Sequence, residues 1–257
     1  MTPLVPTPAP DDSRTASRLA AEAGRLLTAL RQDAARTGMD VTVLRAKGDR
    51  QSNDYILGEL ARAHPSDAVL SEEAVDDKAR LTADRVWIVD PLDGTREFGE
   101  PGRVDWAVHV ALHEHGRLVA GAVALPALGV TLSTADGELP VVPAPTTGPP
   151  RVVVSRTRPP PCVPLIQAAL GAELVTMGSA GAKAMAVLRG EADIYAHSGG
   201  QYEWDSAAPV AVAAAAGLHV SRIDGSPLVY NRPNPYLPDL LICRPELAEQ
   251  VIDAYPG

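Results

Sequence analysis

Between Val86 and Phe98 the chain reads VWIVDPLDGTREF, an apolar run that drives straight into two aspartates, Asp90 and Asp93, with Gly94-Thr95 behind them. Val86 to Val89 reads as a buried strand, so the fold must carry two carboxylates on the end of buried backbone. Two such close acids repel each other. Something positive has to sit between them, or one has to hold a proton. Whatever surrounds this strand must satisfy that demand.

On either side the pattern alternates between helix and strand. Asp12 and Ser13 can cap a helix whose apolar positions, Ala16, Leu19, Ala20, Ala23, Leu26, Leu27 and Leu30, recur at the spacing of one buried face. VTVLR (41–45) reads as a strand, residues 51–63 as a second helix, and AVLSEE (68–73) as a short strand ending in acids. DWAVHVAL, RLVAGAVAL and GVTLST follow as an antiparallel meander. ELPVVPAPTTGPP (138–150) marks a boundary, because prolines cannot pair in a sheet. Beyond it RVVVS, ELVTM and ADIYA read as strands. CVPLIQAAL, residues 180–188 and WDSAAPVAVAAAA read as helices, with Gly217 as a C-cap and Pro245 opening a last helix. The expectation is an α+β half followed by an α/β half. It divides into a disordered tail over 1–12, an α+β metal-binding domain over 13–138, a Pro-rich linker over 139–150 and an α/β domain over 151–257.

Composition narrows the function. Of 257 residues 46% are hydrophobic, yet no apolar run is long enough to span a bilayer. The opening MTPLVPTPAP has neither a basic start nor an apolar stretch, so no secretory signal is expected. Two cysteines, Cys162 and Cys243, lie far apart without metal-type spacing, which points to a reduced, cytoplasmic setting. A net charge of −9 argues against a binder of nucleic acid polymers, since phosphate contacts need a basic face. An acidic chain still binds phosphates where metal ions reverse the local field.

The acids gather at element ends. Glu72 and Glu73 close one strand, Asp90 and Asp93 another, and Asp205 opens an Ala-rich helix. Oxygen-only ligands of this sort suit Mg²⁺, a hard cation that accepts a substrate phosphate as co-ligand, and no histidine lies among these acids in sequence. Pro91 stiffens the turn and frees the Leu92 carbonyl, Gly94 lets backbone approach an anion, and Thr95 begins a short helix. Each acid also has a plain reading: Asp93-Gly94 as a turn, Glu72-Glu73 as a solvated strand end, Asp205 as a helix cap beside core Trp204. Their joint placement favours a Mg²⁺ phosphate site. GSAGAK (178–183) is not a Walker A loop, because Ala184 follows the lysine, but it can hold a phosphate with Lys183 as counter-charge. His113 and His115 read as exposed strand residues, and Trp87, Trp106 and Trp204 as core.

DPLDGTREF (90–98), WDSAAP (204–209) and SEE (71–73) together resemble the signatures of the inositol monophosphatase superfamily. The stretch from Gly178 to Asp205, through Lys183, Gly190, Asp193 and Glu203-Trp204-Asp205, resembles its CysQ-type 3′(2′),5′-bisphosphate nucleotidases. That resemblance implies a layered αβαβα sandwich, a homodimer and inhibition by lithium. It makes Glu72, Asp90 and the Leu92 carbonyl ligands of one Mg²⁺, and Asp90, Asp93 and Asp205 ligands of a second, with a weaker third ion near Glu72. Asp49 with Thr95 would activate the attacking water, although RAKGD departs from the family's usual residues before that acid and Asp54 is the alternative. Glu72, Asp93, Gly94, Thr95, Ser179, Lys183 and Asp205 would touch substrate. The implied reaction removes the 3′-phosphate of adenosine 3′,5′-bisphosphate to give AMP, and extends to the sulfated nucleotide, within sulfate assimilation. The alternatives are an inositol monophosphatase, a fructose-1,6-bisphosphatase, or a nucleotide-binding sensor without turnover. The sensor predicts a missing metal acid, and none is missing.

Overall fold

The computed structural model describes residues 10–255, apart from 136, 138, 140 and 146. In chain order the elements are α1 (Pro10–Thr37), α2 (Val41–Ala63), β1 (Ala68–Ser71), β2 (Arg85–Asp93), α3 (Thr95–Phe98), β3 (Ala107–Glu114), β4 (Arg117–Leu125) and β5 (Val130–Ser133). Then come β6 (Arg151–Ser155), α4 (Val163–Leu170), β7 (Glu173–Met177), α5 (Ala180–Leu188), β8 (Ile194–Tyr202), α6 (Glu203–Ala215), β9 (His219–Ser221), β10 (Tyr236–Cys243) and α7 (Ala248–Ala254). Two five-stranded sheets result, ordered β1-β2-β3-β4-β5 and β7-β6-β8-β10-β9.

Strand β2 explains why its apolar run has no polar alternation: both of its faces are buried. Trp87 and Val89 join Leu19, Ala23, Leu27 and Ile56 of α1 and α2 in one core. Val86 and Ile88 face the other way, into a core shared with Met185 and Val187 of α5, Ala208 and Val212 of α6, and Tyr195 and Ile242 of the second sheet. A third core joins Val152, Ile194 and Leu241 to Val163 and Ile166 of α4 and Val251 of α7. The layers therefore run α1/α2, first sheet, α5/α6, second sheet, α4/α7. This is the expected αβαβα sandwich. Gly121 of β4 lets α6 lie close, since a Cβ there would come within 2.6 Å of the Ala211 Cβ.

Four local expectations are corrected. VTVLR is not a strand but the start of α2: Asp40 caps it, its carboxylate accepting from the N–H groups of Thr42 and Val43 at 2.8 and 3.2 Å. Helix α1 begins at Pro10, inside the stretch taken for tail, and buried Asp12 accepts from Arg85 at 2.8 Å; residues 1–9 lie outside the described residues. His113 is buried rather than exposed. Strands β9 and β10 were not anticipated. Pro238 sits inside β10 where its register against β8 shifts, which is where a sheet tolerates a proline.

Candidate active site

The site lies where the end of β2 meets the start of α6. The register of β2 against β3 breaks between Asp90 and Asp93, so the chain bulges there and turns both carboxylates toward α6. Buried Ser52 of α2 pins the bulge by donating to the Pro91 carbonyl at 2.6 Å. Carboxylate oxygens of Asp90, Asp93 and Asp205 then lie within 4.8 Å of one another. Glu72 stands beside them just past β1, its N–H donating to the Val89 carbonyl at 3.2 Å.

Their electrostatics follow from crowding. Burial pushes the Asp90 carboxyl well up, and Glu72, Asp93 and Asp205 push it further. Glu72 is exposed, yet its carboxyl rises to about 7, first through desolvation and then through Asp205, Asp93 and Glu73. Asp205 rises to about 6 through burial and Asp93. Asp93 alone goes down, to about 2: burial opposes ionisation, but His109, Ser179 and the Gly181 N–H outweigh it.

The contacts of Asp93 assign its two oxygens. Oδ2 receives the Ser179 hydroxyl and the Gly181 N–H, each at 2.6 Å, and forms an ion pair with His109 Nε2 at 3.1 Å. Oδ1 receives only the Ala180 N–H, at 3.1 Å, and is the oxygen left to turn toward a cation. His109 is fully buried, and its Nδ1 lies 3.1 Å from the Trp204 carbonyl. Both of its neighbours, a carboxylate and a carbonyl, only accept, so the ring serves them best with a proton on each nitrogen. A Cβ on Gly181 would collide with His109 Nε2, so the residue facing this ring has to be glycine. A histidine thus does touch the acids, contrary to the reading of the sequence. Its one signal was its place among buried apolar residues of β3.

Asp205 is the third residue of α6 rather than its N-cap, which is Tyr202. Asp205 Oδ2 accepts the Tyr202 N–H at 2.6 Å, closing the first turn of α6, while the carboxylate remains within the acid cluster. Thr95 Oγ1 lies 3.2 Å from Asp49 Oδ1 and 3.1 Å from the Leu92 carbonyl, with its single proton available to either. Asp49 reaches it because α2 packs closely at Gly48, where a Cβ would meet Phe98 and Leu92 at 2.8 and 2.9 Å. Desolvation and Glu73 raise Asp49 to about 6, against the Thr95 hydrogen bond. Asp54 is exposed on the same helix, so Asp49 is the acid brought to the site.

Gly94 holds φ of +84°, a left-handed conformation that suits glycine, and a Cβ there would press on Ser179 and the Asp105 carbonyl. Ser179 and Lys183 were expected to face substrate. Ser179 caps α5, accepting from the Ala182 N–H at 2.9 Å while donating to Asp93. Lys183 is buried, with its ammonium donating to the Gly178 carbonyl and, at 2.9 Å, to that of Ser179. Sequence reasoning missed Asp105, which accepts the Gly178 N–H at 2.6 Å and so fixes the loop that grips Asp93.

The donor set fits a hard divalent cation: every available ligand atom is oxygen, and the negative charge exceeds what His109 offsets.

Comparison with known proteins places this geometry. The inositol monophosphatase family model matches residues 12–255. A Mycobacterium bovis protein described as 3′-phosphoadenosine 5′-phosphate phosphatase is 52% identical over 240 residues, covering 91% of this chain and 89% of that protein. The Escherichia coli 3′(2′),5′-bisphosphate nucleotidase CysQ is 33% identical over 198 residues, 74% of this chain and 80% of that one. The crystal structure of CysQ from Bacteroides thetaiotaomicron superposes with a TM-score of 0.79 at 26% identity, covering 91% of this chain and 97% of the other.

Proposed function

This chain belongs to the inositol monophosphatase family, and from that premise we propose that it hydrolyses the 3′-phosphate of adenosine 3′,5′-bisphosphate to AMP, and acts likewise on the sulfated nucleotide. The observation that carries the reading is the crowded cluster of Asp90, Asp93 and Asp205 at the ends of β2 and α6, with oxygens within 4.8 Å of one another.

Glu72, Asp90, the Leu92 carbonyl, Asp93 and Asp205 would hold two Mg²⁺ ions, with a third near Glu72. Bound there, Mg²⁺ supplies a water of lowered pKa and offsets charge gathering on the phosphoryl oxygens. The protein's own part is proton transfer and positioning. Thr95 accepts a proton from the attacking water while passing its own to Asp49, whose pKa of about 6 suits a base working near neutrality. Ser179, Gly181 and His109 keep Asp93 ionised with one oxygen forward. Lys183 and Asp105 hold the 178–181 loop that makes this grip. Ser71 forms no phosphoenzyme, since it donates to Asn53 at 2.7 Å and has no base beside it, and Thr95 takes up the water's proton as it passes its own to Asp49. A homodimer acting in the cytoplasm belongs to the same reading. Among the described residues no helix is long and apolar enough to cross a membrane.

The test is steady-state phosphate release with Mg²⁺ on adenosine 3′,5′-bisphosphate, inositol 1-phosphate and fructose 1,6-bisphosphate. A kcat/KM for the nucleotide about a hundredfold above the others is expected. Equal rates on all three would replace the reading with a broad sugar-phosphate phosphatase, and no release from any would return it to a binding protein.

A further inference from the structure

Beside the acids opens a cleft of about 520 Å³, with Asp93, Asp205, Lys183, Arg158, His197 and Tyr202 among its lining residues. A substrate whose reacting phosphate sits at the acids must lay the rest of itself along this cleft. The cations around it are not equivalent. Lys183 is buried and committed to two backbone carbonyls. Arg158 is exposed, and among the described residues it has no acidic partner.

Its mounting is also unlike that of an ordinary surface arginine. The Arg158 N–H donates to Ser155 Oγ at 3.2 Å, and Pro159, Pro160 and Pro161 follow directly. A residue before proline has few backbone conformations, so the guanidinium stands on a stiff rim and loses less freedom on engaging a ligand. His197, within electrostatic reach of Arg158, is pushed toward its neutral form first by burial, then by Lys183 and Arg158, against the Gly200 carbonyl. That leaves the guanidinium as the exposed permanent positive charge in the cleft. A planar guanidinium matches phosphate oxygens two at a time. A chain of net charge −9 repels a substrate with two phosphates unless such a group receives the second.

We propose that Arg158 is the specificity-determining residue of the cleft, binding the phosphate that is not cleaved and so selecting bisphosphates over monophosphates. This rests on the functional reading above and adds to it the feature of the substrate that is recognised.

The experiment compares kcat/KM for adenosine 3′,5′-bisphosphate and adenosine 3′-monophosphate in the wild type, Arg158→Ala and Arg158→Lys, with Mg²⁺ present. The two substrates share the reacting phosphate and differ only in the second. The wild-type preference for the bisphosphate should fall about tenfold to a hundredfold in Arg158→Ala, mainly through KM, and less in Arg158→Lys, which keeps the charge without the fork. Titration with AMP, which carries only the uncleaved phosphate, should show binding weakened about tenfold in Arg158→Ala. An unchanged preference together with unchanged AMP affinity overturns the assignment while leaving the functional reading intact. A wild type that cleaves neither nucleotide overturns both. Arg158 is exposed and unpaired, so an unaltered Tm should accompany either substitution.

Discussion

Two of the buried carboxylate centres in this protein are treated in opposite ways. Asp193, at the entry to β8, has both oxygens spent on cations: Oδ2 accepts from the Arg151 N–H and Nε at 2.9 and 3.1 Å, and Oδ1 from Arg244 Nε at 2.9 Å. Its pKa is lowered, because those bonds outweigh the burial that opposes them. Asp90, Asp93 and Asp205 share two partly compensating side chains, His109 and Lys183, and the pKa values of Asp90 and Asp205 still rise. A compensated buried charge ties strands together. A partly compensated cluster keeps a place for a cation that arrives later, and the fold gives up stability to maintain it.

The largest effects should come from exchanging the charge at each centre. Asp93→Asn is expected to lower kcat/KM by about a thousandfold or more, with a loss of Tm smaller than that of Asp193→Asn, because removing the charge relieves Asp90 and Asp205 while it costs His109 its partner. Asp193→Asn should do the reverse. It strands Arg151 and Arg244 without a counter-charge, costing about 3–5 kcal/mol of stability, while the protein that remains folded keeps its rate within a few fold. Thermal unfolding beside phosphate release checks both. If Asp193→Asn lost activity without losing stability, the contrast between the centres would collapse.

A finer cut concerns His109, the compensating group paired directly with Asp93. His109→Phe removes both donors while filling most of the space. Two effects then oppose each other: Asp93 loses the group that fixes its orientation, and the site loses a positive neighbour. Second-layer partners of metal ligands typically change affinity by about 10–100-fold, so orientation should win. Calorimetric titration of the substrate-free protein with Mg²⁺ should show binding weakened by about tenfold or more, and His109→Gln, which keeps a donor, should recover part of it. Tighter Mg²⁺ binding in His109→Phe would mean that the ring acts as a resident counter-charge rather than as a positioning residue.

The difference between the centres also explains what could be read beforehand. Asp90, Asp93 and Thr95 lie within one short turn, so their spacing alone puts them together, and the αβαβα layering followed from their resemblance to the family's signatures. Asp49 was singled out, but the segment leading to it was misread. Val41, Thr42 and Val43 are β-branched and favour extended backbone locally, whereas capping by Asp40 and burial of Leu44, Gly48 and Ser52 make it helix. His109 was illegible because its role depends on Trp204, 95 residues away in sequence, and a histidine on a buried strand face has no pattern of its own. The bonds of Lys183 were equally hidden, since a lysine at a loop reads as a solvent-facing charge until its ammonium is seen turned inward.

The smallest effect separates the centres by pH, in protein stripped of divalent cations. Glu72 rises to about 7, and Asp205 and Asp49 to about 6, in the folded protein. Unfolded, all three ionise near pH 4. Between those limits the folded state holds more protons than the unfolded chain, so stability present below pH 4 is lost as pH rises toward 7. Asp193 contributes nothing to this slope, because its lowered pKa puts its own change below pH 4. Glu72 is exposed, and water screens much of its share. We expect a total loss of about 1–2 kcal/mol between pH 5 and 7.5, or roughly 2–8 °C in Tm. Adding Mg²⁺ should reverse the trend, since a cation that binds only the folded, ionised carboxylates stabilises most where they are deprotonated. The same melts on Asp93→Asn should show a shallower slope, because one of the repelling charges is gone. A metal-free Tm that held level or rose from pH 5 to 7.5 would mean that the acids are already compensated, and the distinction between the two centres would not stand.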